Sequence, residues 1–192
     1  KGLLQSTTRW ADYELRCEYR IAEGGNSGIF LRTPFTPKNP TTDCYELNIC
    51  DSHPEYKSAS LVGRAQPTKT VTGNGDWHRF EVTVQGPRVQ VKADGEAVLD
   101  YTDETATPLT AGFIGLQMNG GKAEFRNVFL RPLGMVSLFD GKSLDGWRVV
   151  PGSKGTFTVE DETIRVKGGT EKSDRGFLET TATAANFVFQ FE

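Results

Sequence analysis

Apolar and polar side chains alternate with a period of two along most of this chain, and helical periodicity is almost absent. "YELRCEYRI" sets Tyr13, Leu15, Cys17, Tyr19 and Ile21 on one face. "FEVTVQ", "VQVKADG" and "AVLDY" follow the same rule, with "ADGEA" as a hairpin turn. "GFIGLQM" and "AEFRNVFLRPL" read as two further strands, and "FTVEDETIRVKGG" as a hairpin turning at Glu160 to Glu162. Strands at this spacing, punctuated by 21 Gly and 9 Pro, predict an all-β fold: an antiparallel β-sandwich or jelly roll. Two long loops, residues 32–43 and 51–76, are where a rigid sandwich would carry a binding site.

The charge balance narrows the partners. With 22 basic and 25 acidic side chains, net charge −3, the chain lacks the clustered positive charge of a nucleic-acid surface. No run of 18 apolar residues exists, so no helix is expected to span a membrane. The chain begins on Lys1 rather than Met, so the absence of a leader says nothing about export. Cys17, Cys44 and Cys50 form no metal motif. Cys44 and Cys50 flank "YELNI", which as a strand spans roughly 20 Å, against about 5.5 Å between bridged Cα atoms. All three read as unpaired structural thiols.

The two ends of the chain resemble each other. "GLLQSTTRWADYELRCE" from Gly2 and "GFLETTATAANFVFQFE" from Gly176 align without a gap at an offset of 174 residues. Leu4 meets Leu178, Thr7 meets Thr181, Ala11 meets Ala185, Asp12 meets Asn186, Tyr13 meets Phe187, Cys17 meets Phe191 and Glu18 meets Glu192. A seam lies near "RPLGMVSLFDGKSLDGW", where one strand pattern ends at Leu133 and another begins at Val136.

Alternation also sorts polar side chains by face. In "NSGIFLR", Ser27, Ile29 and Leu31 share one face, and Gly28, Phe30 and Arg32 the other. In "YELNICD", Tyr45, Leu47 and Ile49 read as core, leaving Glu46, Asn48 and Cys50 opposite. In "GFIGLQMNG", Ile114, Leu116 and Met118 read as core and Gln117 faces outward. Arg32, Glu46, Asn48 and Gln117 could therefore line one concave polar surface, or form an ordinary solvated sheet face with an Arg–Glu cross-strand pair.

"SLFDGKSLDGW" (137–147), "FTVEDETIRVKGG" and "GFLET" resemble the opening of the 3-keto-disaccharide hydrolase family. "DYELRCEYRI", "NSGIFLR", "YELNICD", "GDWHRFEVTVQG", "ADGEAVLDYTD" and "GFIGLQMNGGKAEFRNVFLRPL" resemble its middle and end. The resemblance implies a concanavalin A-like lectin/glucanase sandwich with the strand order rotated, as in a circular permutation. Residues 1–134 are similar to the middle and C-terminal strands, and residues 135–192 to the N-terminal strands of a next repeat or of the same sandwich. Because the family's first and last strands are neighbours, the duplicated segments would compete for one strand position. The loser frays or completes a neighbouring molecule, so head-to-tail self-association by strand exchange is an expectation.

The resemblance implies a carbohydrate partner and cleavage of 3-keto glycosides. A ketone at C3 acidifies the C2 hydrogen; a base removes it, the C1 substituent leaves, and water adds. Glu46 is the candidate base and Arg32 the candidate electrophile near the ketone oxygen. Asp51 and His53 share a face if the strand continues, so Asp51 could orient His53 as acid or base; alternatively "DSHP" only starts a turn. Glu46 and Asp51 would lie roughly 16 Å apart in a regular strand, beyond the 5–9.5 Å or so of paired glycosidase carboxylates, which argues against ordinary two-carboxylate hydrolysis. Asn26, Asn48, Arg64, Trp77 and Gln117 are candidate sugar contacts. Bland alternatives are a turn for Asn26, solvent for Arg64 and a core edge for Trp77. The residues assign no definite cofactor, and His53, Glu46 and Asp51 could together ligate a divalent metal. A non-catalytic carbohydrate-binding repeat or a self-assembling structural repeat are the competing readings. A secreted or periplasmic location is expected on the same grounds.

Overall fold

The computed structural model describes residues 2–73, 75–171, 174–184 and 189. It divides into two compact units, Lys1–Gly134 and Met135–Glu192. The first contains β1 (Gly2–Gln5), β2 (Tyr13–Ile21), β3 (Asn26–Thr33), a single helical turn α1 (Pro40–Asp43), β4 (Tyr45–Ile49), β5 (His78–Gln85), β6 (Arg88–Ala93), β7 (Glu96–Thr102), β8 (Phe113–Gly120) and β9 (Ala123–Pro132).

Two antiparallel sheets result, ordered β1-β8-β3-β4 and β7-β6-β5-β2-β9. The alternation read from the sequence is the reason they pack. In β2 every second residue from Tyr13 to Ile21 is buried. Ile29, Leu31, Tyr45, Leu47 and Ile49 of one sheet meet Phe80, Val82, Val84, Val89 and Val91 of the other in one core. Each such side chain contributes roughly 1.5–3 kcal/mol of burial, and the result is a β-sandwich. Cys17, Cys44 and Cys50 are free and buried. The β6–β7 turn places Asp94 and Gly95 both at positive φ (50° and 87°), the geometry a two-residue hairpin requires. Met118, read as core from its register, is half exposed. Among the described residues no helix is long and apolar enough to cross a membrane.

The second unit carries β10 (Trp147–Val149), β11 (Thr156–Glu160), β12 (Thr163–Lys167) and β13 (Leu178–Thr180). β10 pairs with β13, and β11 with β12 through a turn at Asp161 and Glu162, both at positive φ. Of the second copy of the terminal repeat, Ala185, Asn186, Phe187, Phe191 and Glu192 lie outside the described residues.

Candidate active site

The four-stranded sheet has a polar patch on its non-core face, and register assembles it. Gly28 of β3 stands between Asn48 of β4 and Gln117 of β8; one pair along, Phe30 stands between Glu46 and Gly115. The sheet is extended past β4 by backbone bonds from the long loop. Asn48 N donates to Ser60 O (2.9 Å), Val62 N to Glu46 O (3.0 Å), and Leu47 bridges Leu61. That register sets Ser60 beside Asn48 and Val62 beside Glu46.

Glu46 is the centre of this patch. It is only 7% exposed, and burial raises its pKa above the usual carboxylate value, opposed by the hydrogen bond from Gln117. Gln117 Nε2 donates to Glu46 Oε1 at 3.0 Å. Gly28 lets its neighbours pack closely against the strand: a Cβ there would lie 3.3 Å from Glu46 Oε1 and 3.2 Å from Leu47 O. Gly115 is likewise close-packed, since a Cβ would meet Leu3 Cδ1 at 2.8 Å and Phe30 Cβ at 3.2 Å. Two buried polar atoms of these strands, Gln117 Oε1 and Ser60 Oγ, have no hydrogen-bond partner among the described residues. Unmet buried polar groups are unusual and mark places where a ligand group or water belongs.

Arg32 does not join this surface, which corrects the expectation from alternation. The β3–β8 register shifts between Phe30 and Thr33, and Arg32 takes φ +53°. This bulge re-aims the side chain. Its guanidinium is 1% exposed and ion-paired with Asp12 at 2.7 Å. It donates to Ala11 O (2.8 Å), Gly86 O (2.6 Å) and Leu109 O. Every partner is a loop or strand terminus, so Arg32 ties chain segments together rather than facing a substrate.

Asp51 and His53 likewise differ from the expected dyad. The strand ends at Ile49, so the shared face is lost. Asp51 accepts from Ser58 Oγ (2.5 Å) and from Gly73 N (2.7 Å), clipping the two arms of the long loop. His53 Nδ1 accepts from the backbone N–H of Glu55 (3.2 Å) and Tyr56 (2.7 Å), capping a turn. Among the described residues no group of three or more His, Cys, Asp or Glu stands at metal-ligating spacing; the set of His53, Glu46 and Asp51 is not assembled.

The remaining candidates divide. Asn48 is on the patch and 2% exposed, its Nδ2 donating to Tyr56 O, so the loop lies against the sheet here. Asn26 Oδ1 accepts from Asn119 Nδ2 at 3.0 Å at the strand end. Arg64 pairs with Asp103 (3.2 Å) and lies 4.7 Å over the ring of Tyr45, whose side chain belongs to the core face. Trp77 carries the guanidinium groups of Arg126 and Arg20 over its ring at 4.0 and 4.9 Å, so cations rather than a sugar occupy it. A broader concavity of about 860 Å³ lies on the five-stranded sheet. Glu14 of its lining pairs with Arg131 and Asp100 with the nearby Arg88, and none of its three carboxylates, Glu14, Glu81 and Asp100, is buried as Glu46 is.

Gly28, Gly115 and Ser60 were not singled out from the sequence. The glycines had a signal, since glycine inside a strand marks a close approach. Ser60 had none, because residues 58–62 join the sheet without alternating.

The comparisons with known proteins bear on this geometry. The model of the 3-keto-alpha-glucoside-1,2-lyase-like domain matches residues 1–131 and 134–192. Among solved structures, a protein of Parabacteroides distasonis provisionally described as a glycosyl hydrolase superposes with TM-score 0.59 at 19% identity, over 67% of this chain and 75% of that one. A second from the same organism and so described gives 0.57 at 21% identity, over 68% and 83%. Carbohydrate binding module CBM66 of Bacillus subtilis gives 0.54 at 18% identity, over 67% and 80%. At these identities the likeness is one of fold, a β-sandwich. No curated protein matches the chain.

Proposed function

The chain belongs to the 3-keto-alpha-glucoside-1,2-lyase-like domain family, which makes it a carbohydrate-active domain, and we propose that it cleaves 3-keto glycosides with Glu46 as the general base. The observation that carries the reading is a single carboxylate, buried and raised in pKa, held by Gln117 across the close-packed backbone of Gly28. An isolated carboxylate suits removal of one activated C–H proton, and does not suit the two-carboxylate mechanism.

Glu46 takes the C2 proton through a carboxylate oxygen, and the electron pair moves into a C2–C3 enolate. The enolate collapses, the C1–O bond breaks, and the leaving alkoxide takes a proton; a C1–C2 double bond conjugated to the C3 ketone remains. Water then adds its oxygen to C1 and a proton to C2, giving the free 3-keto sugar. Gln117 Nε2 holds Glu46 Oε1, leaving Oε2 to face the substrate. Ser60 Oγ and Gln117 Oε1, both without a partner, are the groups on this patch able to meet sugar oxygens and hydroxyls. Arg32 takes no part.

The test is turnover of 3-keto-trehalose and a 3-keto-β-glucoside, followed as release of the free sugar. Release by the parent and its loss in Glu46→Gln support the reading. Saturable binding of sugars without release would instead make this a binding module.

A further inference from the structure

We propose that the free edge of β1 is a docking site for β10 of a second copy of this chain, in the register Leu4↔Val149, Gln5↔Arg148 and Ser6↔Trp147. Three observations converge. First, the segment from Gly176 repeats the segment from Gly2 at an offset of 174 residues. β1 lies in the first segment and β13 in the second, and β13 already pairs with β10 as Leu178↔Val149, Glu179↔Arg148 and Thr180↔Trp147. The repeat maps these onto Leu4, Gln5 and Ser6. Second, among the described residues β1 is an edge strand, paired with β8 alone. Third, the two sets of hydrogen bonds use opposite sides of the same strand. Ser6 N donates to Ile114 O of β8 (2.8 Å), so the alternate residues Leu3, Gln5 and Thr7 point their backbone groups away from β8. In β13 the bonds to the β10 segment are made by Phe177, which accepts from Val150 N (2.9 Å), and Thr181, which donates to Gly146 O (2.8 Å). Those two positions correspond to Leu3 and Thr7. One strand of this sequence can thus lie between β8 and β10 with no bond made twice.

The occupant is a second copy because the repeat sets the order. Along the chain β10 comes before its partner β13, so by the repeat the strand that neighbours β1 comes before β1 in repeat order. Joining the Met135–Glu192 unit of one molecule to the Lys1–Gly134 unit of the next reproduces that order head to tail. Docking covers Leu4, 73% exposed, with Val149, 47% exposed. The competitor is β13 of β10's own unit, held besides its backbone bonds by the exposed Arg148–Glu179 ion pair at 2.7 Å, a contact of small worth. Both strands offer β10 the same backbone partners, so exchange is close to balanced and assembly responds to concentration.

The test mixes two separately tagged full-length variants, Leu4→Cys and Val149→Cys, under mild oxidation. The register makes these a non-hydrogen-bonded pair with closely spaced Cβ atoms, suited to a disulfide. The native thiols are buried. The expected result is a mixed disulfide dimer at least tenfold more abundant than from Leu4→Cys with Val166→Cys, a similarly exposed apolar position outside the register. Adding Glu179→Arg, which sets like charges at β13, raises the yield. Equal yields from the two mixtures overturn the proposal. So does a Leu4→Cys/Val149→Cys chain that closes within one molecule at all concentrations.

Discussion

Gln117 reaches from β8 across the single intervening strand β3 to hold Glu46 of β4, Nε2 to Oε1 at 3.0 Å, over the bare backbone of Gly28 that separates them. A Cβ at the intervening position would stand 3.3 Å from Glu46 Oε1, so the glycine lets the bond pass close over the strand. The bond fixes one carboxylate oxygen, and among the described residues no hydrogen bond is made to the other.

Burial and pH give Glu46 a stability signature. Its folded pKa is raised, so the charged form is disfavoured on folding. Its contribution is fully present below the unfolded value, about 4.3, and is lost as pH rises through the folded pKa. Glu46→Gln is therefore more stable than the parent near pH 7, and the gain vanishes below about pH 4. Urea unfolding at the two pH values measures this. The same substitution lowers turnover by roughly 10²–10⁴-fold, and the parent's rate falls as acid titrates Glu46 above the ordinary carboxylate range.

Gly28→Ala tests the close packing beside the carboxylate. Its Cβ would press on Glu46 Oε1 and Leu47 O at 3.2–3.3 Å. The fold survives at a cost of about 1–3 kcal/mol, while turnover drops because the carboxylate is pushed out of its position. Thermal unfolding and kinetics on one sample separate the two effects.

Arg32 predicts the reverse. Arg32→Met removes the buried donor to three carbonyls and to Asp12, which keeps only its bond from Gly86 N (3.0 Å), and this costs about 3 kcal/mol. The fraction that remains folded turns over at the parental rate, because the guanidinium faces no substrate. Denaturant unfolding combined with active-site-normalised rates checks both halves.

Asp51→Ala and His53→Ala separate a loop clip from a catalytic dyad. Asp51 anchors Ser58 and Gly73, and its loss costs about 1–3 kcal/mol. His53 caps a turn with two backbone N–H groups, and its loss costs about 1 kcal/mol. Equal, large losses of turnover in both variants would restore the dyad.

The sandwich was legible because burial on one face enforces a period of two, and β2 obeys it over nine residues. The same rule placed Glu46, Asn48 and Gln117 together, since all three lie within regular strand. It failed at Arg32, where one bulge and a positive φ reverse the parity of a side chain. It failed again past Ile49, where Asp51 and His53 enter a loop and their backbone no longer alternates. Ser60 could not be read at all: its segment joins the sheet through backbone bonds that carry no side-chain pattern.

The most direct measurement of the central claim is turnover of a 3-keto-β-glucoside in D₂O, with the released sugar read by NMR at C2. Removal of the C2 proton by Glu46 followed by hydration predicts one deuterium at C2 of the product, formed far faster than exchange without protein and abolished by Glu46→Gln. Release of a sugar that keeps its hydrogen at C2 would contradict the account, because the glycosidic bond would then break without the proton transfer assigned to Glu46.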